Sequence, residues 1–189
     1  MNDWFETKKA AQLVAFFCSK QGGEIDVLKL VKLVYLADRA FMAECGYPIT
    51  NDKHVSMPHG PANSITLNLI DGNIEDEDWD DLVSDREGHK IALHRELTDD
   101  DSDEFSDAEI NCLENVWAEF GHMTKYEIRD WTHENCPEWE DPNGSSTPIP
   151  SSRILHFLGV ENAEHQALRI EANREFQSTL NSLNSDLAY

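Results

Sequence analysis

Apolar residues recur at helical spacing from the start of the chain. Asp3 and Glu6 stand three residues apart, as in a capping box. The apolar positions that follow, up to the glycine pair at residues 22–23, are Ala10, Leu13, Val14 and Phe17. Their spacing of one, three or four residues predicts a first helix with one buried face.

The segment that follows Asp26 is the most apolar part of the sequence. Nearly every position from 27 to 37 is apolar, and the pattern continues through Met42 to a stop at Cys45 and Gly46. Asp26 is a suitable N-cap. The β-branched residues would also permit a buried strand, but the length of the run favours a central buried helix.

The middle of the chain predicts short elements. Residues 54–57 and 90–94 read as two strands that could pair into one minor antiparallel sheet. A brief helix capped by Asn63 or Ser64 follows Gly60 and Pro61. The acidic runs at residues 75–81 and 99–104 are interpreted as solvated loops.

The C-terminal half carries two further capping boxes, Ser106 with Glu109 and Thr124 with Glu127. Each precedes an apolar stripe and predicts a helix. A loop at residues 141–150 leads to a short helix that starts near Ser152.

A final amphipathic helix is predicted beyond Gly159. Its narrow apolar stripe comprises Ala167, Leu168, Ala172, Phe176, Leu180, Leu183 and Leu187. This stripe could pack on the parent domain, form a homodimer or dock a partner, and the pattern leaves these alternatives open.

These elements predict a mainly α (α+β) fold. We expect a compact multi-helix domain around a buried central helix, with a small two- or three-stranded antiparallel sheet and a C-terminal amphipathic helix. The expected division is a helical domain at residues 1–159 and a helical extension at residues 160–189.

Composition and charge narrow the functional classes. Apolar residues make up 40% of the chain, with eight Phe and five Trp, which is typical of a folded protein rather than a disordered acidic tail. The 37 acidic and 15 basic side chains give a net charge of -22. Such a charge repels bare nucleic acid and favours encounter with a basic protein, although acidity that serves solubility alone is the simpler alternative.

The cysteines and the N-terminus indicate a cytoplasmic protein without a membrane segment. The four cysteines are widely spaced, and three lie within apolar helical patterns, so we expect reduced thiols in the core. The chain starts without a basic segment, and its early apolar run at residues 13–18 is too short for a signal peptide or a membrane span.

Motifs for chemistry are mostly missing. Around Asp99 an EF-hand loop would need Gly and Glu where the sequence has Glu104 and Ile110. The spacing of His122, His133 and Cys136 matches no zinc motif, and neither a phosphate-binding loop nor a nucleophile elbow is found. Because catalytic groups can converge from distant positions, these absences remove the positive evidence for an enzyme without excluding one, and His59 and His133 keep an enzyme as a third alternative. We expect a non-enzyme without metal or cofactor.

Three features remain as candidates for binding. Lys29 and Lys32 lie on one side of the apolar helix and, with Tyr35, could form an exposed ridge that meets carboxylates of a partner; the alternative is that both lysines snorkel from the core edge. The tripeptide at residues 59–61 forces a turn, which could be purely structural. His133, near Trp131, could instead be a buried histidine bound to a carbonyl.

Taken in order, these features resemble the Panacea domain family of SocA-like antitoxins over roughly residues 6–158. Residues 29–37 are similar to its helix with the pattern Lys-Leu-x-Lys-Leu-hydrophobic-Tyr, and residues 59–61 to its Gly-Pro turn. Residues 117–121 and 130–133 resemble its C-terminal half. Ala62 stands where the family usually has Val.

The resemblance implies an antitoxin that holds a cognate toxin, expected to be basic, inactive by direct binding. Many family members carry a DNA-binding module; none is visible here, so we expect sequestration without direct nucleic-acid contact. The expected partner-binding residues are Lys29, Lys32, Tyr35, His59, Gly60, Pro61 and His133. The alternative function is a phage or prophage acidic effector that binds or mimics a host factor without catalysis.

Overall fold

A computed structural model of the protein describes residues 4–187. The described chain is mainly helical, and its α-helices in chain order are α1 Thr7–Lys20, α2 Val27–Cys45, α3 Ser64–Ile70, α4 Glu77–Leu82, α5 Asp107–Phe120, α6 Lys125–Asn135, α7 Ser151–Phe157 and α8 Ala163–Leu187. The strands are β1 Glu24–Asp26, β2 His54–Met57, β3 Gly60–Asn63, β4 Lys90–Ala92 and β5 Thr147–Pro148.

Helix α2 is the centre of the fold, as the sequence predicts. The Asp26 carboxylate accepts the Leu28 amide at 3.0 Å, and the helix ends at Gly46 in the left-handed region, with φ +81. Helices α1, α5 and α6 and strand β3 all pack against it. Its residues 30–38 are buried without interruption, which explains why the sequence is apolar on nearly every face.

Capping explains where several other helices begin. The Ser106–Glu109 and Thr124–Glu127 boxes both form as predicted, at the starts of α5 and α6. Helix α1 begins at Thr7, with Glu6 at the N-cap position and no side-chain cap. The predicted cap residue Asp3 lies outside the described residues.

The predicted pairing of the two strands is wrong. Strand β4 pairs with β1, with Ile25 opposite Ile91, whereas β2 pairs with β3 and with β5 in a separate sheet. Both sheets are antiparallel. Residues 58–59 form the turn of the β2–β3 hairpin, and β5 occupies the other edge of β2, so neither edge of β2 is left for β4.

The interpretation of the acidic runs as solvated loops is also wrong in part. Asp76 caps α4, and Trp79 and Leu82 of this helix are buried in the core beside α1. The second run forms a short 3-10 helix, Asp99–Ser102, with a capping box from Thr98 and Asp101. In the first run most of the carboxylates are exposed while Trp79 and Leu82 pack inside.

The first half of α8 packs on the rest of the protein. Ile170 is buried in a second apolar cluster with Met42, Ile154 and Leu155. The remaining stripe is largely exposed, including Leu168, Phe176, Leu180 and Leu183, and the side chain of Leu187 lies outside the described part. The boundary at residues 159–160 and a homodimer through this helix stay predictions.

The cysteines differ from expectation at one position. Cys18, Cys112 and Cys136 are buried free thiols, but Cys45 at the end of α2 is exposed. Burial raises the pKa of Cys18, Cys112 and Cys136 to about 12, which keeps these thiols protonated and unreactive. Within residues 4–187 no helix has the length and apolarity needed to span a membrane.

Candidate functional site

The three side chains expected to form an exposed ridge on α2 are buried. Lys29, Lys32 and Tyr35 are exposed by only 7%, 2% and 0%, so the expectation of an exposed ridge is wrong. Helices α5 and α6 and strand β3 cover the side of α2 that carries them. The sequence pattern could not show this, because the covering elements come from later segments of the chain.

Lys29 joins α2 to the end of α5. Its Nζ donates hydrogen bonds to the Gly121 carbonyl at 2.7 Å and to Gln21 Oε1 at 2.6 Å. The ammonium also lies 5.3 Å from the centre of the Trp117 ring, in cation–π contact. Burial lowers its pKa. Lys29 therefore satisfies the last turn of a helix, rather than snorkelling into solvent.

Lys32 lies under the turn between β2 and β3. Its Nζ donates to the Pro61 carbonyl at 2.7 Å. Gly60, at φ +96, leaves room for this contact, because a Cβ there would lie 3.1 Å from Lys32 Nζ and 2.9 Å from Thr132 Oγ1. Glycine is thus required both by the backbone angle and by the close approach of α2 and α6.

Tyr35 and Arg39 meet one buried carboxylate. The Tyr35 hydroxyl donates to Glu138 Oε1 at 2.6 Å, and Arg39 Nε donates to the same oxygen at 2.6 Å. Burial, followed by the charge of Glu138, raises the pKa of Tyr35. This cluster ties α2 to the segment that follows α6, so Tyr35 has a structural partner inside the chain.

The two expected histidines both lie near the Lys32 contact. His59 is exposed at the tip of the β2–β3 hairpin. The His133 ring stacks on Trp139 with centroids 4.3 Å apart, and its Nε2 is buried with no hydrogen bond to the described residues. Burial and the neighbouring Lys32 and Arg129 lower the pKa of His133.

The structure therefore brings most of the predicted residues together. Lys32, Gly60 and Pro61 are in contact, and His59 adjoins them. His133 follows Thr132 in α6, and the Thr132 hydroxyl lies beside Gly60. Lys29 and Tyr35 lie on α2 with Lys32 but bind other segments.

Beside Lys32 the surface opens into a cleft of about 550 Å³. Its walls come from the start of α2, the β2–β3 turn, the segment near residue 89 and the start of α6. Six basic or imidazole side chains line it: Lys32, His59, Arg86, His89, Lys125 and Arg129. Four of the 15 Lys and Arg residues of the chain therefore line one cleft, and the linear sequence does not reveal that they lie together.

Sequence reasoning also missed a buried polar network. Asp38 accepts hydrogen bonds from the Thr50 amide at 2.9 Å and from Asn63 Nδ2 at 2.7 Å, and lies 3.1 Å from His54 Nε2. Although burial opposes it, the contacts with His54 and Thr50 hold the pKa of Asp38 below its usual value. These residues are scattered between positions 38 and 63 and follow no motif, so only the fold unites them.

A second buried carboxylate extends this network to α8. Asp52 accepts hydrogen bonds from the amides of Ile65 and Thr66 at 2.9 and 2.8 Å, and its backbone carbonyl accepts Arg174 Nη2 at 2.6 Å. Burial raises the pKa of Asp52. The network holds the β2–β3 hairpin and α3 in place against α2 and therefore fixes one wall of the cleft.

The chemistry of the cleft suits binding. Apart from Asp26 and the phenol of Tyr126, its ionisable groups are cationic or imidazole, and the apolar side chains of Val27, Val31 and Leu67 lie among them. Among the described residues, no three His, Cys, Asp or Glu side chains are placed to hold a metal ion. The arrangement can hold an anionic group attached to an apolar one.

The comparison with protein families gives one match. The model of the SocA-like antitoxin Panacea domain matches residues 30–140, which is more than half of the chain. The matched span runs from α2 to the segment after α6 and contains Lys32, Tyr35, His133 and the turn at residues 59–61. No curated protein and no solved structure shows a significant match.

Proposed function

Because the chain belongs to the SocA-like antitoxin Panacea domain family, we propose that it is an antitoxin that neutralises a cognate toxin by direct protein–protein binding. The family match carries this proposal, since it spans the central helix, the β2–β3 hairpin and α6 in one segment. Binding, rather than catalysis, is proposed as the means of neutralisation.

Two observations support a protein as the partner. The net charge of -22 favours a basic protein and disfavours bare nucleic acid. The turn of the β2–β3 hairpin places the exposed His59 at the rim of the cleft, where a partner could reach it. We propose that this turn and the cleft beside it belong to the contact surface.

The acidic run at residues 99–104 is a weaker candidate for the contact. Arg95 binds Asp101 at 2.7 Å, and Lys8 binds Asp103 at 2.7 Å. Carboxylates that already have cationic partners within the chain are less available as a mimic of nucleic-acid charge. Sequestration of a toxin is therefore proposed ahead of an acidic effector that mimics a host factor.

The proposal is tested by expressing each neighbouring gene alone and together with this chain. We expect one product to arrest growth alone and to be tolerated on co-expression, and the two proteins to co-elute as a complex. With purified proteins, neutralisation should require at least equimolar antitoxin, whereas a catalyst would act at much lower ratios. If no neighbouring product is both toxic and rescued, the proposal is wrong.

The surface is tested with a matched pair of exposed histidines. His59 lies on the hairpin turn, and His122 lies in the turn between α5 and α6. We expect His59→Ala to weaken toxin binding by about tenfold, as for a moderate interface residue, and His122→Ala to leave binding unchanged. Equal effects of the two substitutions would contradict the assignment of this surface.

A further inference from the structure

The cleft beside Lys32 contains an unusual balance of charges. Three of its cations already have carboxylate partners: Arg86 pairs with Asp71, Lys125 with Asp26 at 2.6 Å, and Arg129 with Asp130 at 2.5 Å. These carboxylates compensate most of the charge of the three cations. The strength of the site for an anion therefore depends on the group that lies deeper, Lys32.

Lys32 is buried and incompletely bonded. Its side chain is 2% exposed, and Nζ makes one hydrogen bond to the described residues, to the Pro61 carbonyl. An ammonium has three donors, so two remain for a ligand in the cleft that Lys32 lines. A buried cation without a carboxylate is costly, and an anion placed there would offset that cost.

The wall opposite the rim is aliphatic. Val27 and Val31 project from α2, Leu67 from α3, and Ala62 and Met57 from the two strands of the hairpin. This surface continues from the Lys32 contact, so a ligand that reaches the ammonium must also bury apolar groups. A volume of about 550 Å³ accommodates a few amino-acid side chains.

We propose that this cleft binds a short peptide segment of a partner protein in which one Asp or Glu carboxylate stands beside aliphatic side chains. The carboxylate meets Lys32, and the aliphatic side chains cover Val27, Val31 and Leu67. The identification of this partner as the toxin rests on the proposed function. The inference that the cleft binds such a peptide is independent of it.

The charges favour a single carboxylate over a phosphate-rich ligand. One incompletely bonded ammonium matches one negative charge, whereas the three paired rim cations would have to give up their carboxylates to bind several phosphates. The net charge of -22 also opposes a polyanion. A peptide with one acidic residue carries less negative charge than a phosphate-rich ligand and presents more apolar area to the cleft.

The test selects peptides from a displayed random heptapeptide library against the full-length protein. We expect enrichment of sequences with one Asp or Glu next to Leu, Ile or Val. Sodium phosphate and a short single-stranded oligonucleotide serve as competitors at equal concentration. Failure to enrich such peptides, or stronger competition by either phosphate compound than by the unlabelled peptide, overturns the proposal.

Two arginines give a matched pair of variants for this test. Arg129 lines the cleft and pairs with Asp130; Arg153 lies in α7 and pairs with Glu140, and their side chains are similarly exposed, at 27% and 30%. We expect Arg129→Glu to weaken the selected peptide at least tenfold and Arg153→Glu to leave it unchanged. Lys32→Met, which keeps the length of the side chain, should also weaken it at least tenfold.

The same variants separate this inference from the proposed function. A toxin that is neutralised equally well by wild type and Arg129→Glu overturns the cleft as its binding site and leaves the antitoxin role intact. Peptides that bind in a cleft-dependent manner, in a chain that neutralises no neighbouring toxin, support the cleft and contradict the antitoxin role. Loss of toxin neutralisation in Arg129→Glu alone supports both.

Discussion

Lys32 is a cation at a position where the fold provides little compensation for its charge. Burial lowers the pKa of its ammonium to about 7, while the nearby Cys136 opposes this shift only in part. His59, His133 and Arg129 lie in the same region and add no negative charge, and the nearby Asp130 is paired with Arg129. The side chain therefore carries its proton in the unfolded chain at neutral pH but holds it only weakly in the folded protein.

The pH dependence of the free energy of unfolding should reveal the lowered pKa of Lys32. Between pH 7 and about pH 8.5 the folded protein releases the Lys32 proton, whereas the unfolded chain, in which this lysine has its ordinary pKa of 10.5, keeps it. The unfolded state then binds more protons, so the free energy of unfolding rises with pH, by up to about 1.4 kcal/mol per pH unit.

The control is Lys32→Met, which lacks the titrating group but shares all others, including the cysteines. Urea denaturation of both proteins at several pH values measures the difference. We expect the free energy of unfolding of wild type, relative to that of Lys32→Met, to increase with pH across this window. A difference that does not change with pH would contradict the lowered pKa of Lys32.

Gly60 combines a positive φ with a close contact, and Gly22 separates the two effects. Their φ angles are +96 and +98, but a Cβ on Gly22 meets no atom within 4 Å, whereas one on Gly60 approaches Lys32 and Thr132. Gly22→Ala should cost about 1–2 kcal/mol for the backbone alone. Gly60→Ala should cost at least about 1 kcal/mol more, because the core must also accommodate the methyl group. Chemical denaturation measures the free energy of unfolding of both variants. Equal losses would mean that the residues around Gly60 shift to accommodate the methyl group at little cost.

At the level of elements, local signals in the sequence predict helices well. The capping boxes at Ser106 and Thr124 fix the starts of α5 and α6 because each box involves residues only three apart. Strand pairing depends on segments distant in sequence, and the pattern near residue 90 does not specify that β1 is its partner. Helix α4 was missed because its carboxylates outnumber the buried Trp79 and Leu82 that anchor it.

The same distinction applies to the candidate site. Lys32 and the turn at residues 59–61 could be selected from the sequence, since a lysine in an apolar helix and a Gly-Pro pair are unusual locally. The cleft could not be predicted, because Arg86, Lys125 and Arg129 reach it from segments more than 50 residues beyond Lys32. Asp38 and Asp52 were missed because their partners within residues 50–66 follow no motif.

Helix α8 offers a test of the expected boundary at residue 159. Removal of residues 178–189 leaves Ile170 in its apolar cluster and Arg174 on the Asp52 carbonyl, so we expect little change in stability. Removal of residues 160–189 uncovers Met42, Ile154 and Leu155 and should cost about 3 kcal/mol or more. Thermal and urea denaturation of both truncated chains check this. Equal stability of the two would show that the domain ends before α8.

At the scale of the whole molecule, charge is unevenly distributed. The chain as a whole carries -22, yet the cleft gathers Lys32, Arg86, Lys125 and Arg129. The long-range field of the acidic surface governs the approach of a partner, while the local cations act only after contact because carboxylates next to Arg86, Lys125 and Arg129 compensate most of their charge. The association rate constant should therefore respond to the acidic surface residues, and the dissociation rate constant to the residues of the cleft.

Association with the toxin should accordingly slow as salt is added. The Debye length falls from about 10 Å at 0.1 M to about 3 Å at 1 M, so attraction between the acidic antitoxin and a basic toxin is largely lost over this range. We expect the association rate constant to fall about tenfold or more and the dissociation rate constant to change much less, as measured by stopped-flow mixing.

A triple variant provides the control for the source of this field. Glu75→Gln, Glu77→Gln and Asp78→Asn remove three exposed charges near α4 but keep Asp76, which caps the helix through the Asp78 and Trp79 amides. The variant should fold normally and show a weaker salt dependence of association, while Arg129→Glu should change mainly the dissociation rate constant. An association rate that is independent of salt in wild type would mean that the partner is not basic and that the acidity serves solubility instead.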